Sequence, residues 1–474
     1  MAAHSEHQAV TLAKMREDYD RLGKEYHRRL RSFPPDNDEL TRIPIVEQTP
    51  ITRALDKIQS YPFVSFTLGP SATDFNLEDP ETYIVRFGSL TAPDVEAILE
   101  ASQPSSFGKD DQTVYDTNYR NGREITAHNV EVREPFGENL TKKIIRTLCS
   151  TLFVGKCLKI ALYKLAIYEK GGHFDWHRDS THRDNHHGTV LIALNTSWEG
   201  GGFHLRHNGT EAYFDLHPVF EKDPQTRTTT SVSLQAVAFY TDVEHKVDTV
   251  TEGTRLVLQY DVFIQNKGEA PDYYGHRVRD SKLFAEHLKP GAEAQVLGIF
   301  DHSALTKLSD AISEVHKRGT DEVSIPLRHL YRQASIRPEY LKGVDAVVYE
   351  KLSQTFKVSL LPILLMETVF GDDSGVMSTI VKCDGQASRN ERLYQRNPRG
   401  YGSGNDSDTA SEGEQGQNRS KKKELVSEFH LSGCTDLLQV SIEGYSDYTG
   451  NDAQCGSASY LGGGMFLYAK DSEE

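Results

Sequence analysis

Alternation of apolar and polar positions dominates the middle of the chain. CLKIALYKLAIY (157–168) and GFHLRHN (202–208) alternate, while TVLIALN (189–195) is a continuous apolar run. SVSLQAVAFYT (231–241) and TRLVLQYDVF (254–263) follow. A period of two places successive side chains on opposite faces of a strand. Clusters of Gly, Asn and Asp separate these segments, so they are predicted to form an antiparallel sandwich or barrel. Upstream, TYIVRFGSL (82–90) reads as a strand, APDVEAILEAS (92–102) as a helix, and residues 138–153 as a second helix.

The flanks read differently. Leu12, Met15, Tyr19, Leu22, Tyr26, Leu30 and Phe33 recur at three- and four-residue steps, and Pro34-Pro35 stops the pattern. That is one apolar helical stripe. It fits a helix packed on its own domain, or a short coiled coil with a partner or a second copy. Residues 34–80 are rich in Pro and Asp and irregular. Beyond about residue 268, helical patterns (280–290, 303–318, 341–354) mix with a few strands. Residues 397–424 are Ser/Gly/Asp-rich, with no apolar residue beyond Tyr401, and read as a disordered insertion. Three regions follow: a lead-in at 1–80, a strand-rich domain at 81–268, and a mixed α/β region at 269–474 containing the insertion.

The net charge of −16 argues against a non-specific nucleic-acid binder, which needs a basic face. The five cysteines form no CxxC, and an odd, scattered set reads as reduced thiols. The N-terminus MAAHSEHQAV lacks the pattern of a signal peptide. No apolar run approaches the ~18 residues of a membrane span. An intracellular protein, cytoplasmic or nuclear, is expected.

The chemistry concentrates in HFDWHRDSTHRDNHH, which carries His-x-Asp three times: His173/Asp175, His177/Asp179 and His182/Asp184. Two copies read HRD, as in kinase catalytic loops. A kinase needs Asn five residues after that Asp, and here the positions hold Asp184 and Thr189. A metal site fits better. In a strand, His-x-Asp aims an imidazole and a carboxylate at one point. A third ligand, a histidine from another strand, would complete a facial triad of two imidazoles and one carboxylate on Fe(II), with open positions for a 2-oxo acid and O2. AFYTDVEHKVDTVTEGTRLVLQYDV (238–262) offers His245 near a strand end, and Arg255 on the neighbouring strand to pair with a distant carboxylate.

The conjunction Tyr-x8-His-x-Asp, Glu-Gly-Gly-Gly and His-x9-Arg resembles the prolyl-4-hydroxylase-type Fe(II)/2-oxoglutarate dioxygenases, over roughly residues 80–268. Within that type it looks closest to a group of fungal proteins of unassigned substrate. The resemblance implies an α+β fold with a double-stranded β-helix (jelly-roll, cupin-like) core and supporting helices. It places the metal histidine after Tyr168, Gly171 and Phe174, which selects His177 and Asp179, with His245 as third ligand. It assigns 2-oxoglutarate to Arg255 and Tyr168. His173/Asp175, His182/Asp184, His186 and His187 are then expected to be polar surface or entrance residues. Gln259 departs from a more usual Thr-rich strand end.

The resemblance also implies a hydroxylase of unactivated C–H bonds, acting on a prolyl or other protein side chain, with Fe(II), 2-oxoglutarate, O2 and ascorbate. A small-molecule oxygenase is one alternative. A 2-oxoglutarate- or oxygen-responsive binding protein with little turnover is another.

Overall fold

The computed structural model describes residues 42–69, 74–78, 84–109, 112–133, 140–265, 302–369, 376–382, 425–432 and 462–470. The expected stripe at 9–33, the helix at 280–290 and the insertion at 397–424 lie outside the described residues.

The predicted strands form two facing antiparallel sheets. Cys157–Tyr168, Arg255–Gln265, His186–Ala193 and Thr229–Tyr240 lie side by side in the larger sheet. His173–His177, Glu244–Val247, Phe203–His207 and Thr210–Phe214 lie side by side in the smaller one. The chain crosses from one sheet to the other between most successive strands. This order is the double-stranded β-helix, a jelly roll in which two sheets share one apolar interior. His186–Ala193 is buried at every position, as its apolar run requires of a strand covered on both faces.

The outer face of the larger sheet is covered by the helix Leu140–Cys149. Leu140, Ile144 and Leu148, four residues apart, fall on one side of the helix and are buried. The helix expected at 92–102 is shorter, Val95–Ala101, and Asp94 caps it by accepting from the Ala97 N–H at 3.1 Å.

The C-terminal region builds a second unit with its own core. Glu322–Pro326, Phe356–Val369, Val376–Lys382, Ser427–His430 and Gly462–Ala469 close into a barrel with Arg42–Val46. The stretch 34–80, expected to be irregular lead-in, thus supplies a strand to this barrel. It supplies another, Phe63–Leu68, to the larger sheet of the first unit. Both pairings span far more sequence than any local pattern reports. No helix among the described residues is long and apolar enough to cross a membrane.

Ile144 is fully buried between helix and sheet. Ile144→Ala is expected to lower unfolding stability by about 2–5 kcal/mol in urea titration. A loss near zero would mean that the helix does not cover the sheet.

Candidate metal centre

His177 closes one strand of the smaller sheet and stands directly opposite His245 on the next. The rings lie 4.1 Å apart. Asp179 follows two residues later, just past the strand end, and still turns to the same side. Its Oδ1 is 3.7 Å from His245 Nε2. All three residues are buried, with ligand atoms within 4.8 Å of one another.

The partners of these groups fix their states. His177 Nδ1 donates to the Asp175 carbonyl at 2.7 Å, and His245 Nδ1 donates to the Val243 carbonyl at 3.0 Å. Each imidazole therefore carries its proton on Nδ1 and turns an Nε2 lone pair inward. The Thr189 hydroxyl donates to Asp179 Oδ2 at 2.6 Å, which sets the angle of the carboxylate. Burial, and then the facing His245, push the His177 imidazole well below the usual histidine range, so it stays neutral. Phe174 stacks on His177 at 3.4 Å between centroids, and the Arg120 guanidinium lies 4.5 Å over Phe174.

Arg255 comes from the facing larger sheet, not from the strand beside His245. It pairs in register with Tyr168. Its guanidinium is buried, 1% exposed, and none of its three nitrogens has a hydrogen-bond partner. Burial lowers its pKa to about 10. A buried, unpaired guanidinium is costly unless an anion meets it, and its planar fork suits a carboxylate. Burial raises the Tyr168 phenol above its ordinary value and keeps it protonated. Gly201, at φ +63°, lies against Arg255, and a Cβ there would come within 3.1 Å of Arg255 Cδ. This is the close approach that the Glu-Gly-Gly-Gly stretch serves.

One cavity joins these groups, lined by Tyr168, His177, Asp179, His245 and Arg255. Arg120, Lys164 and Gln259 also line it. Lys164 and Arg120 share Glu124, at 3.1 and 3.3 Å. Burial and the nearby Arg120 lower Lys164 to about 8, against the pull of Glu124. Sequence reasoning missed this trio. The available signal was Lys164, a charge two and four positions from Ala166 and Tyr168 on the inward face of the strand.

Other histidines depart from expectation. His186 and His187 are buried, each 2% exposed, because they open the central strand. Burial, and then His182, push His186 down to about 3, and His187 packs against Tyr340. His173 is half-buried and binds the Gly171 and Asn118 carbonyls. Asp175, His182 and Asp184 are exposed.

Two further groups place ligand atoms equally close: His182/His186/Asp261 and His207/Asp242/His329. In the first, His186 Nδ1 accepts from the His182 N–H at 3.2 Å. Its Nε2 therefore carries the proton and points at the Gly188 carbonyl. In the second, the Lys342 ammonium lies 2.8 Å from Asp242, and both imidazoles donate to that carboxylate. Among the described residues, only the His177 group turns two imidazole lone pairs toward one carboxylate.

Buried neutral imidazoles make stability depend on pH. Burial is the leading cause that pushes His177 and His187 well below the usual histidine range, and His186 to about 3, in the folded state. The unfolded chain takes up these protons below about pH 6.5 and the folded chain does not. Stability is therefore complete above that pH and falls below it, by about 1.4 kcal/mol per pH unit for each group. The metal-free protein is expected to lose on the order of several kcal/mol between pH 6.5 and 5. Urea midpoints that stay flat over that range would contradict the burial of these groups.

Residues 163–260 match the model of the 2OG-Fe(II) oxygenase superfamily. No curated protein matches the chain. Solved structures give partial likenesses. A prolyl-4-hydroxylase from Pseudomonas putida is 13% identical, covering 46% of this chain and 100% of its own, with a TM-score of 0.25. A prolyl hydroxylase from Trichoplax adhaerens, in complex with a hypoxia inducible factor peptide fragment, is 15% identical over 45% and 87%, with a TM-score of 0.27. A 2OG-Fe(II) oxygenase family oxidoreductase from Burkholderia pseudomallei is 14% identical over 36% and 78%, with a TM-score of 0.22. Residues 163–260 form a 2OG-Fe(II) oxygenase domain, that of the 2-oxoglutarate-dependent dioxygenases, which use Fe(II), 2-oxoglutarate and O2.

Proposed function

We propose that this domain hydroxylates an unactivated C–H bond, on a prolyl or other protein side chain. The catalytic unit is residues 81–268 together with the Phe63–Leu68 strand. The choice of a protein substrate, and kinship with fungal members of the prolyl-4-hydroxylase type, rest on the motif resemblance.

The observation that carries the reading is one cavity that holds both a cluster of two histidines and a carboxylate and an unpartnered buried guanidinium. Nε2 of His177 and of His245, with the Asp179 carboxylate, would hold Fe(II). Arg255 would receive the far carboxylate of 2-oxoglutarate as a bidentate, charge-assisted pair, with the Tyr168 hydroxyl as a further donor. Bound metal and cosubstrate supply the oxidising power, with O2, and the succinate and CO2 chemistry is theirs. The chain supplies geometry. Thr189 aims the carboxylate, the Asp175 and Val243 carbonyls fix both imidazole tautomers, and Phe174 shields His177 from water.

The test is an anaerobic titration of Fe(II) and 2-oxoglutarate, following the visible metal-to-ligand charge-transfer band. The wild type is expected to show the band, and Asp179→Ala to abolish it. Arg255→Ala should raise the 2-oxoglutarate concentration needed by about tenfold to a thousandfold, the range for losing a buried charge-assisted pair. Folded, iron-loaded wild type without a band would contradict 2-oxoglutarate chelation at this cluster and the oxygenase reading with it.

A further inference from the structure

The turn Thr241–Val243 carries the chain from the larger sheet to His245. Both of its last two carbonyls serve the metal cluster. Val243 O accepts from the His245 imidazole. Asp242 O accepts from Arg178 Nε at 3.0 Å, and Arg178 is the residue between His177 and Asp179. Arg178 also pairs with Glu244, next to His245, at 3.3 Å. One side chain thus ties the His177–Asp179 segment to two of the residues that lead into the third ligand.

The Asp242 carboxylate points the other way and is fully buried. It accepts from Lys342 Nζ at 2.8 Å, His329 Nδ1 at 2.9 Å, the Leu330 N–H at 3.1 Å and His207 Nε2 at 3.1 Å. Three of these four donors belong to the C-terminal unit. Lys342 uses its remaining donors on Thr241 Oγ1 and the Leu330 carbonyl, at 3.3 and 3.0 Å. The Gly343 N–H donates to the Tyr240 hydroxyl at 3.1 Å. On the far side, Asp345 holds the 328–331 segment by accepting from the Arg328 and His329 N–H groups and the Tyr331 hydroxyl. None of these side chains is among the buried polar groups that lack a hydrogen-bond partner, as a rigid buried network requires.

We infer that the C-terminal unit is a positioning element of the metal centre, acting through Lys342, Asp242 and Arg178. Its residues touch neither metal nor cosubstrate, yet they set the turn from which His245 projects and, through Arg178, the segment that bears His177 and Asp179. The inference rests on the ligand assignment proposed above. Groups that orient metal ligands from one layer out typically carry about ten- to a hundredfold of metal affinity. Here that layer is the Asp175 and Val243 carbonyls and the Thr189 hydroxyl, and the second unit holds the turn that bears Val243.

The experiment uses the full chain, metal-free and anaerobic, titrated with Co(II) and followed by its visible d–d bands. The wild type is expected to bind Co(II) with a spectrum that Asp179→Ala removes. Lys342→Met and Arg178→Met should weaken Co(II) binding by about ten- to a hundredfold, and Lys342→Arg should restore most of it. Lys156→Met serves as control. Lys156 bonds the Pro338 and Glu339 carbonyls in the same seam, at 3.4 and 2.7 Å. Its loss should lower thermal stability and leave Co(II) affinity unchanged.

If Lys342→Met does not fold, the pair Asp242→Asn/Lys342→Met leaves no unpaired buried charge. It should fold and show the weakened affinity. Wild-type affinity in a folded Lys342→Met or in the pair would overturn the inference and reduce the contact to adhesion between units. A wild type whose Co(II) binding ignores Asp179→Ala would instead remove the ligand assignment, and this inference with it.

Discussion

His177 and His245 face each other across adjacent antiparallel strands, and the metal cluster depends on that register. A slip of one residue would turn an imidazole to the opposite face of the sheet. The register is held from several directions. Phe203 pairs with Val247 on one side of the His245 strand, and Phe174 pairs with the same residue on the other. The Asp242 turn, locked by buried ions, fixes where the strand begins.

The two sheets divide the chemistry. The smaller one presents two imidazoles and a carboxylate that could hold a metal, with Arg120 on its edge strand, and the larger one presents Lys164 and Arg255. Arg255, Lys164 and Arg120 all reach one interior, with Glu124 shared by the last two. Among the described residues, only Arg255 lies buried with every guanidinium nitrogen lacking a hydrogen-bond partner. An unpartnered buried guanidinium is costly, and an anion beside it would offset that cost.

Much of the catalytic unit was legible. Strands such as 157–168 announce themselves by alternation bounded by glycine and turn residues, because the pleat imposes that period on any half-buried strand. The spacing of His177, Asp179, His245 and Arg255 was visible because each sits at a strand end with a distinctive side chain. The failures share a cause. Arg255 belongs to the facing sheet, His186 and His187 are buried, and Arg42–Val46 joins a barrel built mainly by residues beyond 320. Each depends on pairing between distant segments, and no local window carries that information. The role of Asp242 was invisible for the same reason, since three of its four partners lie about ninety to a hundred residues away.

The most direct measurement is the location of the metal. Crystals of the full chain grown with Mn(II) and 2-oxoglutarate without O2 would give an anomalous difference map at the manganese signal. The account predicts one strong peak bounded by His177 Nε2, Asp179 and His245 Nε2, with the cosubstrate's far carboxylate on Arg255. A peak at His182/His186/Asp261 or at His207/Asp242/His329, or none at the His177 cluster, would contradict it.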